Sequence, residues 1–123
     1  MAIRQRYPGH ARQARLIASQ CHTGAYMGRY MIVVDHDIDI TDINAVLWTM
    51  CTHVDLAQSV EIIRRACSGP TDPGIHKDKK GFSSRMIIDA CPPYEWLKDF
   101  SPIIEIRPEQ REAPLRKRKK LFD

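Results

Sequence analysis

The sequence predicts an α/β domain, with a mainly parallel or mixed sheet and helices on its faces. Short apolar runs rich in β-branched residues alternate with segments of helical periodicity. One of these runs lies at residues 29–35, where residues 31–34 are all apolar. An apolar run without polar interruptions is typical of a strand buried on both faces. The length of 123 residues suits one domain. Alternation of this kind gives strands joined by right-handed crossovers.

The first predicted elements are a short strand at residues 2–5 and a helix at residues 10–22. Pro8 and Gly9 break the chain between them. Small and apolar residues recur in the helix at spacings of three and four, so they share one face that we expect to be buried. These residues are Ala11, Ala14, Ile17, Ala18 and Cys21.

The middle of the chain predicts a turn, a buried strand and a second helix. Gly24 and Gly28 bracket the end of the first helix and the turn after it. The strand at residues 29–35 follows. Thr41 is the predicted N-cap of the second helix, and the helix dipole favours Asp42 beside it. The stripe of this helix that we expect to face the core consists of Ile43, Val46, Leu47, Met50 and Cys51.

The last part of the chain predicts two strands around a long loop. The strands occupy residues 60–63 and 84–90, and residues 103–106 form a further short strand or an extended arm. The loop at residues 68–74 contains two prolines and two glycines, which exclude both helix and strand. The predicted domain therefore spans residues 2–106.

The net charge of +4 is concentrated in a run of five cations at residues 116–120. Because like charges repel, we expect residues 107–123 to be a disordered basic tail. No aromatic residues interleave with the cations, so we expect no nucleic-acid partner. The apolar runs are too short to cross a bilayer or to form a signal peptide. We therefore expect a cytoplasmic protein without a membrane partner.

The sequence offers little evidence for a metal site. The chain has four cysteines, Cys21, Cys51, Cys67 and Cys91, without a Cys-x-x-Cys pair, and we expect buried or half-buried thiols. Asp35, Asp37 and Asp39 imitate the start of a calcium loop, but Ile40 and Val46 replace its glycine and glutamate. We expect these acids to accept hydrogen bonds from nearby backbone amides. No two histidines have helical spacing, so we expect no metal ligands in this chain.

Five short segments, taken in order, carry a family resemblance. They are QRYPGHA at residues 5–11, YMIVVDHDID at 30–39, AVLW at 45–48, GPTDP at 69–73 and MIIDA at 86–90. Together they resemble the C-terminal region of the UbiD family of decarboxylases, over residues 2–96. Each segment alone is weak evidence, and their order makes the resemblance specific. It implies the fold of the UbiD C-terminal domain.

The resemblance also implies a function. UbiD enzymes decarboxylate aromatic or α,β-unsaturated carboxylic acids reversibly and without oxidation, using prenylated FMN with a divalent metal (Mn) and K⁺. The cofactor supplies the difficult chemistry, and the protein orients the substrate. In the family, the catalytic Glu-Arg-Glu group and the cofactor ligands lie in the N-terminal domain. The chain is thus implied to be the C-terminal part or small subunit of a decarboxylase, inactive alone, with a flavin-binding domain or subunit as its partner and a homo-oligomeric state.

One segment is implied to line the substrate pocket. In the family, a Pro-x-x-Pro loop faces the flavin, and it corresponds here to residues 69–73. The substrate-binding residues implied by the resemblance are Gly69, Pro70 and Thr71. Two alternatives stay open: the loop is a rigid surface turn, or the whole chain is a non-catalytic interaction or oligomerisation module derived from the family.

Overall fold

A computed structural model describes residues 1–104 together with Gln110, Glu112 and Pro114. These residues form a four-stranded mixed sheet with flanking helices, so the predicted fold class is confirmed. The strands are β1 (Ala2–Ile3), β2 (Tyr30–Asp35), β3 (Val60–Cys67) and β4 (Phe82–Ala90). The helices are α1 (His10–Gln20), α2 (His22–Met27), α3 (Ile43–His53) and α4 (Leu56–Ser59), with 3₁₀ turns at Lys77–Lys79 and Tyr94–Trp96.

The sheet has the strand order β1-β2-β4-β3. β2 pairs in parallel with both β1 and β4, and β3 pairs antiparallel with β4. The start of β2 and the end of β3 therefore lie at the same end of the sheet. This topology brings the loop after β3 close to the backbone that enters β2.

The core lies on both faces of β2, as the sequence predicted. Successive side chains of a strand point to opposite faces. Val33 is fully buried and packs with Ala11 of α1, whereas Val34 packs with Val46 of α3. The two long helices therefore cover opposite faces of the sheet.

The buried face of α1 differs from the predicted one. Its buried residues are Ala11, Arg15 and Ser19, while Ile17 is 64% exposed. Arg15 donates hydrogen bonds to the Ser59 carbonyl and, at 2.6 Å, to a carboxylate oxygen of Glu61 on β3. Ala11 is buried as predicted and Ala14 and Ala18 are half-buried, but the centre of the buried face consists of the hydrogen-bonded polar side chains of Arg15 and Ser19.

The N-terminus of α3 lies one residue from the predicted position. Asp42 is the N-cap, and its carboxylate accepts the Asn44 N–H at 2.9 Å. Thr41 is unsuited because its N–H and hydroxyl both donate to Asp39, at 2.8 and 2.7 Å.

The buried face of α3 is also rotated relative to the predicted stripe. Val46 and Thr49 are buried, whereas Ile43 is 63% exposed and Leu47 is 49% exposed. Cys51 is exposed as well. α3 carries more apolar surface than one sheet face can cover, so the Ile43–Leu47 side remains open.

Other parts of the prediction change in detail. α2 replaces the turn expected after Gly24, and the helical turn α4 was not predicted. Of the four thiols, Cys91 is buried, but Cys21, Cys51 and Cys67 are exposed rather than covered.

At the C-terminal side, residues 103 and 104 are not in a strand. The rest of the predicted arm, residues 105–106, lies outside the described residues. So does the predicted tail, apart from Gln110, Glu112 and Pro114. Within the described part of the chain, none of the helices has the length and apolar character that a membrane crossing requires.

Candidate functional site

The predicted substrate loop follows β3 and lies beside the C-terminal end of α2. The Ser68 N–H donates to the Gly81 carbonyl at 3.0 Å, which closes the base of the loop before β4. The Gly69 N–H donates to the Tyr26 carbonyl of α2 at 3.3 Å. The first predicted site residue is therefore anchored to the domain.

Gly69 is buried because the backbone of α2 approaches it closely. A Cβ atom at this position would lie 3.1 Å from Cδ1 of Tyr26 and 3.2 Å from its carbonyl oxygen. These distances are tighter than ordinary van der Waals contact, so a side chain at this position would require the loop or Tyr26 to move by a few tenths of an ångström. A packing role of Gly69 at the base of the loop is therefore visible in the structure.

Pro70 and Thr71 follow Gly69 and are exposed. The structure thus separates the three predicted site residues into a buried anchor and two residues on the outside of the turn. An open cleft of about 350 Å³ lies next to them, lined by Arg29, Asp72, Pro73 and Gly74. This exposed turn can contact a ligand or another polypeptide.

Asp72 fixes the far side of the turn. Its Oδ1 atom accepts hydrogen bonds from Arg29 Nη2 at 2.5 Å and from the Gly74 N–H at 2.9 Å. Lys80 donates to the Asp72 carbonyl oxygen at 2.5 Å. The Arg29 guanidinium, followed by the Gly74 N–H, holds the pKa of the Asp72 carboxyl below its ordinary value.

Arg85 of β4 holds the base of the same loop, and sequence reasoning missed it. It is 3% exposed, and its guanidinium donates to the carbonyl of Cys67, immediately before the loop. It also donates to the Gly24 and Ala25 carbonyls at 2.9 and 3.0 Å, and to the Ser19 carbonyl. The available signal was an arginine inside a strand that the sequence identified as buried, since a buried cation needs several partners.

The acidic run after β2 lies at the other end of the sheet. Asp35 accepts the His36 N–H at 2.7 Å, and Asp39 accepts the Thr41 N–H, so both make the predicted bonds to backbone amides. Asp35, His36 and Asp37 place one possible ligand atom each within 4.8 Å of one another. This spacing would fit a metal ion. However, His36 Nδ1 lies 2.8 Å from Asp35 Oδ1, so these two groups already bond to each other.

Comparison with known protein families decides what this domain is. Residues 1–90 match the model of the 3-octaprenyl-4-hydroxybenzoate carboxy-lyase C-terminal domain, the UbiD C-terminal family. The chain belongs to the UbiD family. The resemblance inferred from the five segments is therefore confirmed.

Individual UbiD relatives include decarboxylases. A gallate decarboxylase from Lactiplantibacillus plantarum is 30% identical over 99 residues, which are 75% of this chain and 20% of the relative. An uncharacterized protein from Aeropyrum pernix is 34% identical over 90 residues, which are 73% of this chain and 18% of the relative. This UbiD chain therefore spans about a fifth of the length of these relatives.

Solved structures of UbiD-class enzymes share the fold of this chain. The UbiD-class enzyme HmfF from Pelotomaculum thermopropionicum, in complex with FMN, matches 94% of this chain and 24% of its own, with a TM-score of 0.73 and 28% identity. The 3,4-dihydroxybenzoic acid decarboxylase from Enterobacter cloacae matches 93% of this chain, with a TM-score of 0.70 and 26% identity. The four-stranded sheet is thus the UbiD C-terminal fold.

This UbiD domain leaves a large apolar surface uncovered around α3. Trp48 and Trp96 are 42% and 49% exposed and border a groove of about 470 Å³. His53 and Phe100 also line this groove, with ring centroids 4.8 Å apart. Ile43 and Leu47 of the same helix are exposed too. Exposed apolar surfaces of this kind are typical of contacts with other proteins and of ligand-binding grooves.

Proposed function

We propose that this chain is the C-terminal part or small subunit of a UbiD-type carboxy-lyase. The complete enzyme would catalyse the reversible, non-oxidative decarboxylation of an aromatic or α,β-unsaturated carboxylic acid with prenylated FMN. The observation that carries the proposal is the family match over residues 1–90, which covers one domain of longer enzymes. Gallate, phenolic acid and 3,4-dihydroxybenzoic acid decarboxylases among the relatives favour a hydroxylated benzoic acid as substrate.

The cofactor does not fit the residues of this chain by themselves. Among the cations beside the loop, Arg29 and Lys80 both bond to Asp72, and the buried Arg85 donates to backbone carbonyls, so these three groups are already engaged within the domain. The sequence also contains no glycine-rich phosphate loop. We therefore assign prenylated FMN, Mn and K⁺ to a flavin-binding domain or subunit. The catalytic residues belong to that same part of the enzyme.

The role of this chain in the proposed enzyme is to complete the substrate pocket. Thr71 and Pro70 are exposed on a turn whose two ends are tied to the domain through Gly69 and Asp72. A turn held in this way can form one wall of a pocket that another domain closes. Thr71 would present a small, partly polar side chain to the substrate.

The open side of α3 is the proposed contact with the rest of the enzyme. Ile43, Leu47 and Trp48 expose apolar surface that a monomeric domain would not normally leave bare. We expect the purified chain to self-associate through it, and Leu47→Ser to reduce this association. Light scattering at high concentration provides the measurement, with Leu56→Ser on α4 as a control at a leucine that is more exposed, 78% against 49% for Leu47. A clean monomer of the unchanged chain would contradict this role.

The deciding experiment is to co-produce the chain with the flavin-binding part of a UbiD-class enzyme. The complex should show flavin absorbance and release carbon dioxide from a hydroxybenzoic acid, whereas the chain alone should be colourless and inactive. Decarboxylation by the chain alone would refute the assignment of chemistry to the partner. Failure to bind any flavin-binding part, together with stable self-association, would favour the alternative of a non-catalytic oligomerisation module.

A further inference from the structure

We infer that the Arg29–Asp72 ion pair positions the Pro70–Thr71 turn and thereby determines which acids the complete enzyme accepts. The inference rests on the proposed role of this loop in the substrate pocket. Arg29 and Asp72 would be positioning residues, since they act on the substrate through Thr71 and not by contact.

Arg29 is a rigid attachment point. It directly precedes β2, and its carbonyl oxygen accepts the Met86 N–H of β4 at 2.8 Å. Its backbone thus belongs to the hydrogen-bonded ladder of the sheet. A side chain that bonds to the Arg29 guanidinium is tied to the central strands of the domain.

Asp72 connects the turn to Arg29 and therefore to the sheet. A single carboxylate oxygen bonds to Arg29 and to the Gly74 N–H, so it joins the sheet to the backbone two residues further along. The Asp72 side chain is only 11% exposed, whereas that of Arg29 is 43% exposed. The carboxylate is therefore largely sheltered from water, which makes its hydrogen bonds electrostatically stronger than those of an open surface pair.

Gly74 has no side chain, and this leaves room for the Arg29 guanidinium beside Asp72. A Cβ atom at this position would collide with Nη2 of Arg29 and lie 3.0 Å from its Cζ atom. Alanine at position 74 would thus displace the guanidinium from Asp72 without changing any charge. The structure therefore provides a second, uncharged way to break the same ion pair.

The position of Thr71 follows from these contacts. Gly69 is anchored to Tyr26 and Asp72 to Arg29, so only Pro70 and Thr71 lie between the two anchors. The ring of Pro70 restricts its own φ angle. Without the bond to Arg29, Asp72 would keep bonds within the loop alone, from Lys80 to its carbonyl, from its own N–H to the Gly69 carbonyl and from the Gly74 N–H. The Asp72 side chain would then no longer hold the turn against the sheet, and the exposed Thr71 side chain would face a less fixed direction.

The test uses three variants, Asp72→Asn, Gly74→Ala and Arg29→Gln, with Arg29→Lys as the conservative rescue. Asp78→Asn is the matched control, because Asp78 pairs with His76 at 3.1 Å further along the same loop but is 72% exposed. Amide hydrogen exchange in the full chain reports the order of the loop. The complex with a flavin-binding part reports kcat and KM for a small hydroxybenzoate and for a bulkier cinnamate-type acid.

We expect the three variants to raise exchange at the amide of residue 74 or its neighbours roughly fivefold or more, while the strands keep their protection. The kcat/KM ratio between the two acids should change roughly threefold or more, mainly through KM. Arg29→Lys should recover part of both effects, and Asp78→Asn should match the unchanged chain.

Two results would overturn the inference. One is unchanged loop exchange in all three variants. The other is faster exchange with an unchanged kcat/KM ratio in an active complex, which would leave the proposed function standing and assign the pair to local structure. A complex of the unchanged chain that binds flavin but decarboxylates neither acid would instead refute the proposed function, and the specificity role with it.

Discussion

Replacing Arg85 by methionine removes the cation that connects four segments of the domain. The side chain is 3% exposed and donates to backbone carbonyls at the end of α1, in α2 and at the end of β3. These carbonyls belong to Ser19, Gly24, Ala25 and Cys67. Methionine has a similar length and no donor, so it fills the space but leaves the carbonyls without these bonds.

The expected loss can be estimated from these four bonds. A buried acceptor left without a partner costs about 1–3 kcal/mol. The Gly24 carbonyl keeps the Gly28 N–H as a donor at 3.1 Å, so the other three carbonyls, taken as independent, would give a sum of roughly 3–9 kcal/mol. Part of this cost is offset, since Arg85 is itself a buried cation whose Nε atom has no partner among the described residues. We therefore expect Arg85→Met to lower the free energy of unfolding by about 3–5 kcal/mol, a large share of the 5–15 kcal/mol typical of domains.

Urea unfolding followed by circular dichroism measures this difference. Arg64→Met is the matched control, because Arg64 is exposed on β3 and the substitution is chemically the same. A surface change of this kind should shift stability by no more than about 0.5 kcal/mol. If Arg85→Met and Arg64→Met had the same small effect, the role of Arg85 as the connection between these segments would be refuted.

Three further predictions concern the loop, the thiols and the half-buried Asp89. In the assembled enzyme, Thr71→Leu should alter the kcat/KM ratio between a small hydroxybenzoate and a cinnamate-type acid by an amount equivalent to roughly 1–3 kcal/mol, with the fold intact. In the native chain, thiol titration should detect the three exposed cysteines, whereas Cys91 should react only after unfolding, because burial, and then Asp89 and Asp35, raise its thiol pKa. Burial also raises the pKa of Asp89, so the folded chain keeps a proton that the unfolded chain releases. The free energy of unfolding should therefore fall as pH rises from about 4, the ordinary aspartate pKa, through the raised value, and Asp89→Asn should remove this fall.

Each of these expectations has a contrary result. An unchanged ratio in the Thr71→Leu enzyme would make the loop a surface turn. Rapid reaction of all four thiols in the native chain would show that Cys91 is accessible. A stability profile with the same slope in the Asp89→Asn variant as in the unchanged chain would mean that another group titrates in this range.

Local sequence signals predicted the strands well and the buried helix faces poorly. The strand at residues 29–35 was found as β2, because an unbroken β-branched run allows little else. The face of α1 was predicted only in part, since Ala11 is buried as expected but the buried positions also include Arg15 and Ser19. Burial of the Arg15 cation is possible only through bonds to residues far away in the chain. Those partners, such as Glu61, are invisible to a periodicity argument.

The sequence likewise predicted one part of the candidate site and not the other. The proline- and glycine-rich composition identified the loop at residues 68–74, and the family resemblance selected Gly69, Pro70 and Thr71 within it. The contacts of Arg29 and Asp72 could not be anticipated, because 43 residues separate them in the chain. Only the pairing of β2 and β3 with β4 brings them to the same end of the sheet.

By itself, the sequence determined the fold class, the family and the position of the loop, because apolar period, turn residues and short motifs are local properties of the chain. The tertiary structure decided which face of α3 is covered, since one sheet face can bury one stripe and leaves Ile43 and Leu47 exposed. It also decided that Asp72 is tied to the central strands, because an ion pair between distant residues forms only after strand order and direction have brought them together.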